Sequence, residues 1–116
     1  IAKGADINTQ DKNGLTPLHW AVKDGDTEKV LAIIAGGAEV NAKDYDERTP
    51  LHFAAEGGSL DIVKAILEKG ADVSLKNKDG HTALNIAHQG SNPDIIKLID
   101  AANDNKTTPK NKGMNL

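Results

Sequence analysis

Apolar residues recur at helical spacing in three stretches of the chain: Val30, Ile33 and Ile34; then Val63, Ile66 and Leu67; then Ile96 and Ile99. Intervals of three and four residues bring each set onto one face of an α-helix, because a turn takes about 3.6 residues. Residues suited to capping a helix precede each set, namely Asp26, Ser59 and Asn92, and Pro93 follows the last of them. A shorter helix is predicted ahead of each of these. Thr16, Thr49 and Thr82 are N-cap types, and Pro17 and Pro50 take the first helical position, where a missing N–H costs nothing and the fixed φ suits the helix. Gly25 and Gly58 stand where that shorter helix should close in a left-handed conformation. The pattern therefore predicts pairs of short helices. Polar stretches such as "NTQDKNG" and "NAKDYDE" turn the chain from one pair to the next.

The pairs repeat. "TPLHWAV" begins at Thr16 and "TPLHFAA" at Thr49, 33 residues later, and at Thr82 the motif has become "TALNIA". "GADIN", "GAEVN" and "GADVS" begin at Gly4, Gly37 and Gly70 with the same offset, and Asp11, Asp44 and Asn77 align as well. Two full units span 11–43 and 44–76, and a third runs over 77–102. A helix pair this small cannot bury its apolar face alone, so neighbouring pairs must stack into a quasi-one-dimensional array. The repeated T-P-L-H-x-A signature at Thr16–Ala21 and Thr49–Ala54 resembles the ankyrin repeat, over nearly the whole chain. The resemblance implies an all-α solenoid of stacked helix-turn-helix units joined by projecting β-turn loops. It also implies a module that binds other proteins and carries out no catalysis.

Both ends depart from the pattern. Ile1 and Ala2 align with Ile34 and Ala35, so residues 1–10 are expected to be the end of a truncated upstream repeat, within a longer array. Asp100 takes the apolar position of Ile34 and Leu67, as a terminal cap with a polar outer face requires. Residues 103–116 are polar and lack periodicity, and a disordered tail is expected there.

Composition narrows the function further. The 116 residues include one Trp, one Tyr and one Phe, so the core must be aliphatic. A formal net charge of −3 on an intermixed surface argues against nucleic acid, which would need a basic face to displace counterions. The absence of cysteine removes disulfides, thiolate nucleophiles and Cys-based zinc sites. No apolar run reaches the length of a membrane span and no signal peptide is visible, which favours a cytoplasmic location and no membrane partner. His19 and His52 invite a metal reading, but equivalent positions in stacked units lie about 8–10 Å apart, too far to share one zinc ion. Each is expected to hydrogen-bond its N-cap threonine and the neighbouring turn instead. His81 and His88 lack spaced partners, "AGGAE" is a helix end without the strand a phosphate loop follows, and no cofactor or catalytic residue is expected. Trp20, Phe53 and Ile86 occupy one repeated apolar position and are predicted to pack in the core, with Trp20 partly uncovered beside the truncated unit.

Recognition is then expected at turn and first-helix positions that vary among the units. The family resemblance implies binding through the turn tips and the inner helix face. The matching candidates are Lys12, Leu15, Lys43, Tyr45, Glu47, Arg48, Glu56, Lys78 and His81, together with Asn13, Lys23, Asp24, Asp46, Lys76, Asp79 and Gln89. Glu47 stands where the other two turns carry Gly14 and Gly80, a place suited to positive φ. It lies beside the chain's only Tyr and only Arg, residue types enriched in interface hot spots. Tyr45, Glu47 and Arg48 are therefore expected at the centre of the surface that meets a partner protein. A monomer is expected when the array is complete. The alternative is a passive scaffold or spacer, part of a longer array attached to a functional domain elsewhere.

Overall fold

The computed structural model describes residues 7–57 and 59–107. Six helices follow one another: α1 (Pro17–Asp24), α2 (Thr27–Ala35), α3 (Pro50–Gly57), α4 (Leu60–Glu68), α5 (Ala83–Gln89) and α6 (Pro93–Thr107). Among the described residues there is no strand. The short helices α1, α3 and α5 pack on one another in sequence as an inner layer, and α2, α4 and α6 do the same as an outer layer. Each inner helix also packs on the outer helix that follows it. This is the stacked all-α solenoid of helix pairs that the repeat implied.

The helix ends arise where capping chemistry sits. Thr16 holds an extended conformation and accepts a hydrogen bond from the His19 N–H, and Asp26 accepts one from Lys29. Ser59 accepts from Ile62, and Thr82 accepts from Asn85. Gly25 closes α1 at φ 74°, the left-handed conformation expected of it, and its N–H returns to the last turn of α1. The corresponding expectation for Gly58 lies outside the described residues.

The core is aliphatic. Leu18, Leu51, Ile62, Ile66, Ile95 and Ile99 are buried essentially completely, each contributing about 1.5–3 kcal/mol relative to an exposed side chain. Of the predicted apolar faces, Val30, Ile34, Val63, Ile66 and Ile99 are buried, whereas Ile33, Leu67 and Ile96 pack only partly against the core. Ala21, Ala54 and Ala87 keep the inner helices close, and a larger side chain there would push the layers apart.

Side-chain amides join the units at their outer ends. The Asn8 carbonyl oxygen accepts the Glu39 N–H at 2.8 Å, and Asn41 accepts the Asp72 N–H at 2.7 Å, one repeat further on. At the end of the second unit Ser74 takes this position and turns its hydroxyl to Asp72 at 2.6 Å.

One feature of the last helix differs from expectation and another follows it. Helix α6 extends to Thr107, five residues past the expected end of the third unit at 102, so residues 103–107 are helical and not a disordered tail. Once a helix is nucleated, each added residue gains a backbone bond, and this segment contains no Gly or Pro to stop it. The rest of the expected tail, from 108, lies outside the described residues. Asp100 is exposed on α6, in contrast to its equivalent Ile34, which is buried.

Candidate protein-binding face

The surface is built from the turns upward. In each turn one residue organises the backbone: the Asp11 Oδ1 accepts the N–H groups of Asn13 and Leu15, both at 2.9 Å. Asp44 does the same for Asp46 and Arg48, and Asn77 for Asp79 and His81. The Leu15 N–H, above all, holds the half-buried Asp11 carboxyl below the usual aspartate value. The fourth position of each turn takes positive φ, at 85° for Gly14, 63° for Glu47 and 84° for Gly80. The turn does not relax to accommodate Glu47; the non-glycine residue is held in the glycine conformation. Adjacent turns are joined by backbone bonds from the Tyr45 N–H to the Asn13 carbonyl (3.1 Å) and from the Lys78 N–H to the Asp46 carbonyl (2.8 Å).

The histidines fasten each turn to the helix beneath. Thr16 donates its N–H to His19 Nδ1 at 2.9 Å, which leaves the ring proton on Nε2, and Nε2 donates to the Arg48 carbonyl at 3.0 Å. His52 repeats the arrangement with the Thr49 N–H at 3.0 Å and the His81 carbonyl at 2.9 Å. Each ring thus caps its own helix and holds the next unit's turn, and both nitrogens are occupied in doing so. Burial pushes both imidazoles below the ordinary histidine pKa, against the opposing pull of the carbonyls they donate to. In the third unit Asn85 serves the cap alone, with its side-chain oxygen accepting the Thr82 N–H at 2.9 Å.

These constraints decide where the candidate residues stand. Arg48 does not reach freely into solvent. Its Nε donates to the buried Asp44 carboxylate at 2.9 Å, its Nη2 lies 3.4 Å from Asp46, and its guanidinium sits 4.7 Å from the centre of the Phe53 ring. Tyr45 is 61% exposed and lies against Gly14, where a Cβ would come within 2.6 Å of the tyrosine ring. Lys12, Lys43, Glu47, Glu56 and Lys78 are exposed, and His81 is half-buried.

A groove of about 490 Å³ opens on the inner face between the second and third units, with Arg48, Glu56, Asp79, His81, Ile86 and Gln89 among its lining residues. A smaller depression of about 220 Å³ adjoins it at Arg48, Asn77 and Asp79 and adds Asp46 and Lys78. The fold therefore brings Arg48, Glu56, Lys78 and His81 together. Lys12, Lys43, Tyr45 and Glu47 do not line either depression.

Two expectations are corrected. Leu15 is 5% exposed and part of the core, so it cannot meet a partner. Its backbone is fixed by Asp11, which turns the leucine inward over the stacked helices. Trp20 is 44% exposed, so the partial uncovering expected of it is present but the core packing is not, while its equivalent Phe53 is 5% exposed. Phe53 is covered by the edge of the His19 ring, at 5.6 Å and 89°, and by Arg48. The Trp20 ring lies out on the inner face, its Nε1 donating to Asp11 at 2.8 Å and the Lys23 ammonium 5.9 Å from its ring centre. One signal could have revealed this. The repeated core position Leu18/Leu51/Leu84 keeps its volume, as close packing demands, whereas Trp20/Phe53/Ile86 does not.

The comparison with known families agrees with this architecture. The family model described as ankyrin repeats (3 copies) matches residues 1–77 and 33–112, and the chain belongs to the ankyrin repeat family. A search of the curated proteins gives no match. Ankyrin repeats are generally protein–protein interaction modules and are typically non-catalytic. Among the described residues no helix is long and apolar enough to cross a membrane.

Proposed function

We propose that this chain binds a partner protein through the inner face of its first helices and the tips of its turns, within repeats bounded at 11–43, 44–76 and 77–102. The observation that carries the reading is the groove where Arg48, Glu56 and His81 meet above Ile86. Exposed Trp20 and Tyr45 extend that surface. Large amphipathic rings suit this role because they offer contact area at low entropic cost. Arg48 serves chiefly to shape the groove, since its charge is already matched by Asp44 and Asp46.

Photo-crosslinking tests this. A photoreactive residue replacing Gln89 or Tyr45 should capture a defined protein from an extract of the source cells. The same group at Lys64, exposed on outer helix α4, should not. Trp20→Ala should weaken that capture while leaving the unfolding midpoint nearly unchanged. Equal capture from the inner and outer positions, or capture from neither, would favour the passive spacer.

A further inference from the structure

The charges lining the inner groove are unequal in a way that selects a partner. Glu56, from α3, and Asp79, from the third turn, are both exposed, and neither forms an ion pair among the described residues. The guanidinium that lines the same groove, on Arg48, is already matched to Asp44 and lies over Phe53. Counting the adjoining depression, Arg48 and Lys78 line the surface with Asp46, Glu56 and Asp79, while Asp44, paired to Arg48, is buried beneath it. Two cations thus face three carboxylates in the lining, and one of those cations is already neutralised from below by Asp44. The half-buried Ile86 supplies an apolar surface within the same groove. A volume of about 490 Å³ lies within the range of about 300–1,000 Å³ usual for ligand clefts.

Resting on the protein-binding reading above, the geometry points to an extended partner segment that places a lysine or arginine in this groove. Its methylene stem lies along Ile86 and its cationic head reaches Glu56 and Asp79, an arrangement suited to a long side chain with an apolar stem and a charged end. Anionic segments are rejected, because the unmatched carboxylates repel them. The same segment has a second place to anchor. Trp20 lies on the inner face two units from Ile86, and packed helices are about 8–10 Å apart, so the two sites are roughly 16–20 Å apart. An extended chain rises about 3.3 Å per residue, so five or six residues span that distance. The partner motif is therefore a basic residue with a large apolar or aromatic residue five or six positions away.

A library of displayed random 12-residue peptides, panned against the full chain, tests the inference. Selected peptides should share a Lys or Arg separated by five or six positions from a large apolar residue, and their affinity should fall as salt rises. Anisotropy titrations with a labelled member should show at least ten-fold weaker binding to Glu56→Gln/Asp79→Asn. The charge-reversed Glu56→Lys/Asp79→Lys should recover binding when the peptide's basic residue is changed to Glu. Asp61→Asn, exposed on outer helix α4, should change nothing. Peptides that compete at Trp20 but carry no shared basic residue would overturn this inference and leave the protein-binding reading standing. Failure to select any peptide sensitive to inner-face substitutions would remove both.

Discussion

Glu47→Gly isolates a single physical effect. Glu47 is held at φ 63°, between equivalents at 85° (Gly14) and 84° (Gly80). A side chain in the left-handed region costs about 1–2 kcal/mol, because Cβ crowds the following carbonyl. Glycine removes that strain but loses about 0.5–1 kcal/mol more conformational entropy on folding. The net expectation is stabilisation by about 0.5–1 kcal/mol. Little else changes, since Glu47 is exposed, its side chain makes no hydrogen bond or ion pair among the described residues, and its N–H bond to the Asp44 carbonyl (2.9 Å) survives in glycine. The converse variants calibrate the result. Gly80→Ala meets open space, with nothing within 4 Å of the new Cβ, so it should cost only the strain less the entropy gain, about 0.5–1 kcal/mol. Gly14→Ala should cost more, because its Cβ would stand 2.6 Å from the Tyr45 backbone nitrogen. Urea unfolding followed by far-ultraviolet circular dichroism reads the order: Glu47→Gly above the parent, then Gly80→Ala, then Gly14→Ala. With m of about 1–3 kcal/mol/M, each 0.5–1 kcal/mol step should move the midpoint by a few tenths of a molar unit or more. A midpoint lowered by Glu47→Gly, or unchanged by Gly80→Ala, would show that positive φ does not control the stability of these turns.

Two further predictions concern the buried histidines. His52→Ala should lower stability by about 1–3 kcal/mol, because it strips the Thr49 N–H and the His81 carbonyl of a partner at once, and added zinc should move the melting temperature of neither protein. Stability should be level above about pH 6.5 and decline below it. The unfolded chain takes up protons there that the folded His19 and His52 do not, until their lowered folded pKa values are reached. Urea midpoints measured at intervals of half a pH unit should show a slope of at most about 1.4 kcal/mol per pH unit for each histidine, halved by His52→Asn. Stability that rises as the pH falls through this range would refute the tautomer assignment.

Local chemistry was legible in the chain, because its determinants lie within a few residues of one another. Thr16 and His19 are three apart, so their pairing follows from helix geometry, and the 33-residue repeat of such signals announces stacked helix pairs. The positive φ at Glu47 was readable from the glycines at the same place in the other turns. That His19 also reaches a neighbouring turn was expected, but the atom its second nitrogen meets was not readable. Its partner is a carbonyl 29 residues away, brought there by the stacking of one unit on the next. Nor could the pattern tell how far the burial of Trp20 and Phe53 differs, or separate Leu15 from its equivalents Arg48 and His81. Each pair or trio shares one repeat position, and its burial depends on which neighbours the stacking brings over it. The groove itself, with Glu56 from a helix facing Asp79 from the next turn, exists only across the junction between two units, where distance in the chain says nothing about distance in space.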